Sequence, residues 1–156
     1  MISNAFDGVI FKLHGMALAV DALKVREVVG RAEWQPVNEE NQSLIQTRGR
    51  LIPVVDLRRL FGFSSLEKDG MNSFIAVQIP GADRNQLAAL WVDSLLEMIH
   101  VPQGELKAVP GAIGGVPAHF LQAVFEKDGE SIYVIQTDEI VREEFSGEKE
   151  LDKAAS

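Results

Sequence analysis

The chain has 156 residues, 46% hydrophobic and 24% charged, and that length bounds it to one domain. Fifteen basic against 23 acidic side chains give a formal charge of −8, which argues against a phosphate-backbone partner and so against nucleic acid. Cysteine is absent, which removes disulfide and thiolate chemistry and fits a reducing cytoplasm.

The opening MISNAFDGVIFKL has no basic segment ahead of an apolar block, so no signal peptide is expected. No apolar run reaches the roughly 18 residues of a membrane span, so no direct membrane insertion is expected. Val9–Leu13 and Met16–Val20 flank His14-Gly15 and predict a tight hairpin. Leu23–Val29 reads as the next strand, with Leu23, Val25 and Glu27 on one face and Val28 on the other. Gly30–Asn41 is polar, contains Pro36 and reads as a connecting loop.

The stretch RGRLIPVVDLRRLFG, Arg48 to Gly62, is the most informative. Gly49 suits a positive φ or a close backbone approach. Leu51–Val55 is apolar at nearly every position, as in a strand buried on both sides, while Pro53 points to an edge or a bulge. Asp56 reads as the N-cap of one helical turn that buries Leu57, Leu60 and Phe61, with Gly62 at the C′ position.

Ser64–Asn72 is polar and reads as a surface loop. Ser73–Ile79 and Leu87–Val92 predict strands joined by PGADRN, and Leu95–Val101 predicts a further buried strand before Pro102. Pro102–Pro117 is too rich in glycine and proline for regular structure and predicts a long connection, either a functional surface or a plain crossover. Phe120–Phe125 and Ile132–Gln136 form a last hairpin through Asp128-Gly129. Thr137 or Asp138 then caps a short helix through Glu144, and residues 146–156 read as a disordered acidic tail. The pattern is all-β with short helices, and about ten short strands call for closure into one or two small barrels.

Little in the sequence points to catalysis or to a cofactor. His14, His100 and His119 have no metal-ligand spacing, there is no nucleophile elbow, and Gly111, Gly114 and Gly115 lack phosphate-loop spacing and read as loop flexibility. Asp93 follows LAALWV and reads as a turn cap or the partner of a nearby base. Trp91 reads as core, and Trp34, in a polar segment, as a candidate interface residue. Arg48, held by a glycine turn at the mouth of a strand, can present its donor fork to a partner carboxylate or carbonyl, or pair internally.

With these segments in order, the chain resembles the CheW family of bacterial chemosensory adaptors from about Val9 to Val141. RGRLIPVVDLRRLFG matches the family block N-x-R-G-x-x-x-P-V-x-D-L-R-x-x-F-G. MALAVDALKVREVV, LAALWVDSLLEM and Ile132–Val141 resemble its flanking segments. The resemblance implies two interwoven five-stranded SH3-like β-barrels sharing one core, residues 1–145 forming the CheW-like domain, and no catalysis or cofactor. It implies two partners: a methyl-accepting chemoreceptor's cytoplasmic tip, held in a groove between the barrels, and the regulatory domain of a CheA-type histidine kinase. It is by this resemblance that Val25, Glu27, Arg48, Gly49 and Leu51 become partner-binding candidates, with Met98 on the second barrel's side of the groove. Where the family shows G-v-x-x-N-x-R-G, this chain has Ser43 and Gln46 in place of the glycine and the asparagine. That departure leaves open an accessory module of a type IV pilus or twitching pathway, binding a kinase or itself without receptor contact.

Overall fold

The computed structural model describes residues 5–30, 33–36, 44–64, 73–82 and 86–145. Among these residues eleven strands run in the order β1 (Phe6–Leu13), β2 (Met16–Asp21), β3 (Val25–Val29), β4 (Gln35–Pro36), β5 (Leu44–Thr47), β6 (Arg50–Asp56), β7 (Ser73–Gln78), β8 (Leu87–Val92), β9 (Ser94–Val101), β10 (Leu121–Lys127) and β11 (Glu130–Ile135). A one-turn helix α1 (Leu57–Leu60) follows β6, and α2 spans residues 137–145. They form two curled sheets: sheet I in the order β10-β11-β2-β1-β9, and sheet II in the order β3-β7-β8-β6-β5-β4. The two-residue β4 extends a five-stranded sheet II and comes from the segment that reads as loop in the sequence.

The hairpins expected at His14-Gly15 and Asp128-Gly129 form, and the Arg48-Gly49 turn makes a third, for a common physical reason. His14-Gly15, Arg48-Gly49 and Asp128-Gly129 all carry positive φ at both residues, the two-residue turn whose twist matches that of paired strands. Around α1 the Asp56 carboxylate accepts from the Arg59 N–H. Beyond the helix, the N–H of Gly62 (φ +88°) donates to the Arg59 carbonyl and that of Phe63 to the Arg58 carbonyl. This is the paired-bond stop of a Schellman motif.

Three apolar clusters divide the interior. One is lined by sheet I (Phe6, Ile10, Ala17, Phe125, Ile132 among others), with Leu106 packed against it, and one by the sheet II barrel (Val29, Trp34, Ile45, Ile52, Phe74, Trp91 among others). The largest is shared: Phe11, Leu13 and Leu18 of sheet I meet Val55, Ile75 and Leu90 of sheet II, and Ile140 and Val141 of α2 close over them. The chain passes between the sheets twice, at the short 3-10 turn Ala22–Lys24 and at Asp93.

Several local expectations change. Leu23 lies in that 3-10 turn, not on a strand face, and is 81% exposed. β9 is the edge strand of sheet I, and its Leu96 and Met98 face solvent, so its apolar run does not mark a buried strand. Leu51 is likewise exposed, so β6 is covered on both faces only further along. Pro53 sits inside sheet II, where β6 passes from its β5 pairing (Leu44↔Pro53) to its β8 pairing, which starts at Val54. Counting alternate pairs from the two-residue turn puts Pro53 opposite Leu44 in a non-hydrogen-bonded pair, so its missing donor faces a ladder that has not begun. Trp34 is buried, edge-on to Phe74 at 4.8 Å, which withdraws it as an interface residue. Gly114 and Gly115 serve close packing: a Cβ on Gly114 would lie 2.6 Å from Met16 Sδ, and one on Gly115 3.1 Å from the Phe63 ring. Thr137 is inside α2 with its hydroxyl buried, and Asp138 pairs with Lys24 at 3.1 Å. The expected loop at residues 65–72, the second half of PGADRN (residues 83–85) and the tail from 146 lie outside the described residues.

Candidate functional site

Glu27 and Arg48 are 21 positions apart in sequence and meet at one end of sheet II. β3 is an edge strand, and the β5–β6 turn stands near the opposite edge, so meeting requires the sheet to curl on itself. Arg48 Nη1 donates to Glu27 Oε2 at 3.1 Å, and Arg48 Nη2 lies 3.9 Å from Glu33 Oε1. The Arg48 side chain is 62% exposed and Glu27 only 18%. This is an internally paired arginine that keeps much of its surface open to solvent. Glu33 is fixed in turn by accepting from the Gly30 N–H, and the Thr47 hydroxyl donates to the Glu33 carbonyl. Sheet I is tied in the same manner: Lys127 on β10 bonds Glu97 on β9, joining its two edge strands, and this contact raises the Lys127 pKa.

Gly49 (φ +77°) completes the turn that carries Arg48. Directly beyond it, β6 sends Leu51 outward and Ile52 inward. Leu51 pairs across the ladder with Gln46, and Leu44 with Pro53, so the outer face of this hairpin is largely apolar. Arg50, Leu51, Ile52 and Leu87 line an open groove of about 440 Å³ on this sheet. Val25 is half-buried and leans on the shared core. Five of the six candidate residues therefore belong to sheet II, and Met98, 68% exposed on β9, belongs to sheet I. The outer-face leucine Leu44 was not singled out from the sequence, although the alternation LIQT–RG–RLIP contains the signal.

A second polar centre lies where β8 leaves sheet II. Asp93 accepts from Arg58 Nε at 2.7 Å and Arg58 Nη2 at 2.5 Å, and from the His14 backbone N–H at 2.9 Å. The paired carboxylate raises the Arg58 pKa, so the guanidinium stays charged at any ordinary pH. Asp93 is thus a partner of a base, as read from the sequence, though one 35 positions away. Among the described residues no group of three or more His, Cys, Asp or Glu side chains could hold a metal. No helix among them is long and apolar enough to cross a membrane.

The two curled sheets share one apolar core and leave Leu51, Leu96 and Met98 in solvent beside paired surface charges. The CheW-like domain model matches residues 7–145, and the chain belongs to that family of non-enzymatic scaffold proteins of chemotaxis. Among similar proteins, the chemotaxis protein CheW of Thermotoga maritima is 25% identical over 144 residues, covering 88% of this chain and 89% of that one. The chemotaxis protein CheW of Rhizobium meliloti is 20% identical over 138 residues, covering 85% and 84%. The crystal structure of the scaffolding protein TtCheW from Thermoanaerobacter tengcongensis superposes with a TM-score of 0.68 at 26% identity, covering 86% of each chain.

Proposed function

We propose that this protein is a cytoplasmic adaptor that couples methyl-accepting chemoreceptors to a CheA-type histidine kinase. The observation that carries the reading is the family match across both sheets, because an adaptor with two partners needs a surface for each. The receptor's cytoplasmic tip is a helical hairpin, and such a partner docks by laying apolar anchors along a groove. Val25, Glu27, Arg48, Gly49 and Leu51 form the sheet II side of the proposed surface, and Met98 the sheet I side. Arg48 contributes its exposed guanidinium at the rim and Leu51 its exposed apolar surface. The kinase regulatory domain docks barrel to barrel.

The test is a pull-down, followed by titration, with a purified CheA regulatory domain and with a receptor signalling fragment. Wild type is expected to bind both, and Arg48→Glu to weaken at least one complex by about tenfold or more, the equivalent of about 1.4 kcal/mol. Unchanged affinity of a folded Arg48→Glu protein for both partners refutes the site. No binding of wild type to either partner refutes the adaptor role.

A further inference from the structure

We infer that the Arg58–Asp93 pair is an orientation latch that fixes the angle between the two curled sheets. The shared apolar cluster holds the sheets together, but the force that buries it is non-directional. A bidentate arginine–carboxylate pair has both direction and fixed geometry. Asp93 occupies one of the two places where the chain crosses between sheets, with Val92 closing β8 of sheet II and Ser94 opening β9 of sheet I.

Its carboxylate is held from both sides. Arg58 grips it with two donors from α1, which continues β6 of sheet II. The His14 N–H reaches it from the β1–β2 turn of sheet I, and the Asp93 N–H returns a bond to the Lys12 carbonyl on β1. The ring contacts repeat the pattern, since His14 of sheet I stacks on Phe63, just past α1, at 4.2 Å. The 113–116 turn is wedged against the same place, with Gly115 beside Phe63 and Gly114 beside Met16.

Shielding separates this pair from the other ties across the junction. The Arg58 and Asp93 side chains are only 14% and 19% exposed. Lys24–Asp138 and Arg59–Glu144, which bind α2 to the sheet II side, each have one much more exposed member. A shielded two-point pair loses less to solvent and salt than those do. Arg58 and Asp93 are therefore positioning residues. The consequence for a partner seated between the barrels rests on the adaptor reading, whereas the latch itself is a property of the free protein.

The test measures that angle directly. The chain has no cysteine, so spin labels can be placed at will. One pair of labels, at Gln122→Cys on β10 and Val28→Cys on β3, spans the sheets, and a second pair, at Val28→Cys and Gln46→Cys, stays within sheet II. Pulsed electron paramagnetic resonance then reads the distances in wild type, Asp93→Asn and Arg58→Lys. Asp93→Asn keeps an acceptor for His14 but loses the charge, and Arg58→Lys keeps the charge but loses the two-point grip. The expected result is an inter-sheet distribution that broadens or splits in both variants while the distribution within sheet II stays sharp. If Asp93→Asn does not fold, Arg58→Lys decides alone. An inter-sheet distribution unchanged in a folded variant, whatever its melting temperature, overturns the latch, as does equal broadening of both distributions, which signals loosening of sheet II itself. Neither outcome depends on any partner, so failure here leaves the adaptor reading standing.

Discussion

Arg48 occupies a position where two energetic effects oppose each other, and their balance can be measured. Its backbone is left-handed (φ +49°), a conformation that costs an ordinary L-residue about 1 kcal/mol and costs asparagine much less. Against this stands the ion pair with Glu27 at 3.1 Å. With the arginine 62% exposed, the pair is worth about 0.2–1 kcal/mol. Arg48→Asn loses the pair and relieves the turn, so its stability should lie within about 0.5 kcal/mol of wild type. Arg48→Glu loses the pair, keeps the strained turn and sets a third carboxylate beside Glu27 and Glu33, for a cost of about 1–2 kcal/mol. The assay is urea unfolding followed by tryptophan fluorescence. Trp34 and Trp91 both lie in the sheet II core and report on the sheet that the pair ties together. A double-mutant cycle of Glu27→Gln with Arg48→Asn should return a coupling of about 0.2–1 kcal/mol. A coupling indistinguishable from zero, or a loss above about 2 kcal/mol for Arg48→Asn, refutes this account of the turn. Because Arg48→Asn is expected to be stable, any loss of partner binding in it is not a consequence of unfolding.

Two further predictions use adjacent residues and a single backbone angle. Leu51→Ala should change stability by less than about 0.5 kcal/mol, whereas Ile52→Ala, one position along and 2% exposed, should cost about 2–5 kcal/mol, both read from urea midpoints. Gly62→Ala should cost about 1 kcal/mol although a Cβ there meets nothing within 4 Å, because φ is +88°; a neutral result in thermal unfolding would show that the stop after α1 can rearrange.

These contrasts bear on what the amino-acid order makes legible. The hairpins and α1 were readable because their determinants are local: a positive-φ pair at each turn, and Asp56 and Gly62 at either end of α1. The division into two interwoven sheets was not readable from periodicity, since an apolar run looks the same in a central strand as on an edge. Leu95–Val101 shows this, as edge position leaves Leu96 and Met98 in solvent. Trp34 is the converse case, a polar-segment residue drawn into the sheet II core beside Phe74.

Partnerships across long separations are harder still, because they exist only once the sheets have curled. Glu27 and Arg48 were singled out by resemblance as two separate contact residues, yet they are one ion-paired unit, each fixing the other's direction. A substitution at either position therefore alters both, and a binding defect at Glu27 does not by itself place Glu27 in contact with a partner. Only the comparison of Glu27→Gln in the presence and absence of Arg48 separates a contact from a support, which is why the cycle, and not the single variant, carries the weight of the site assignment.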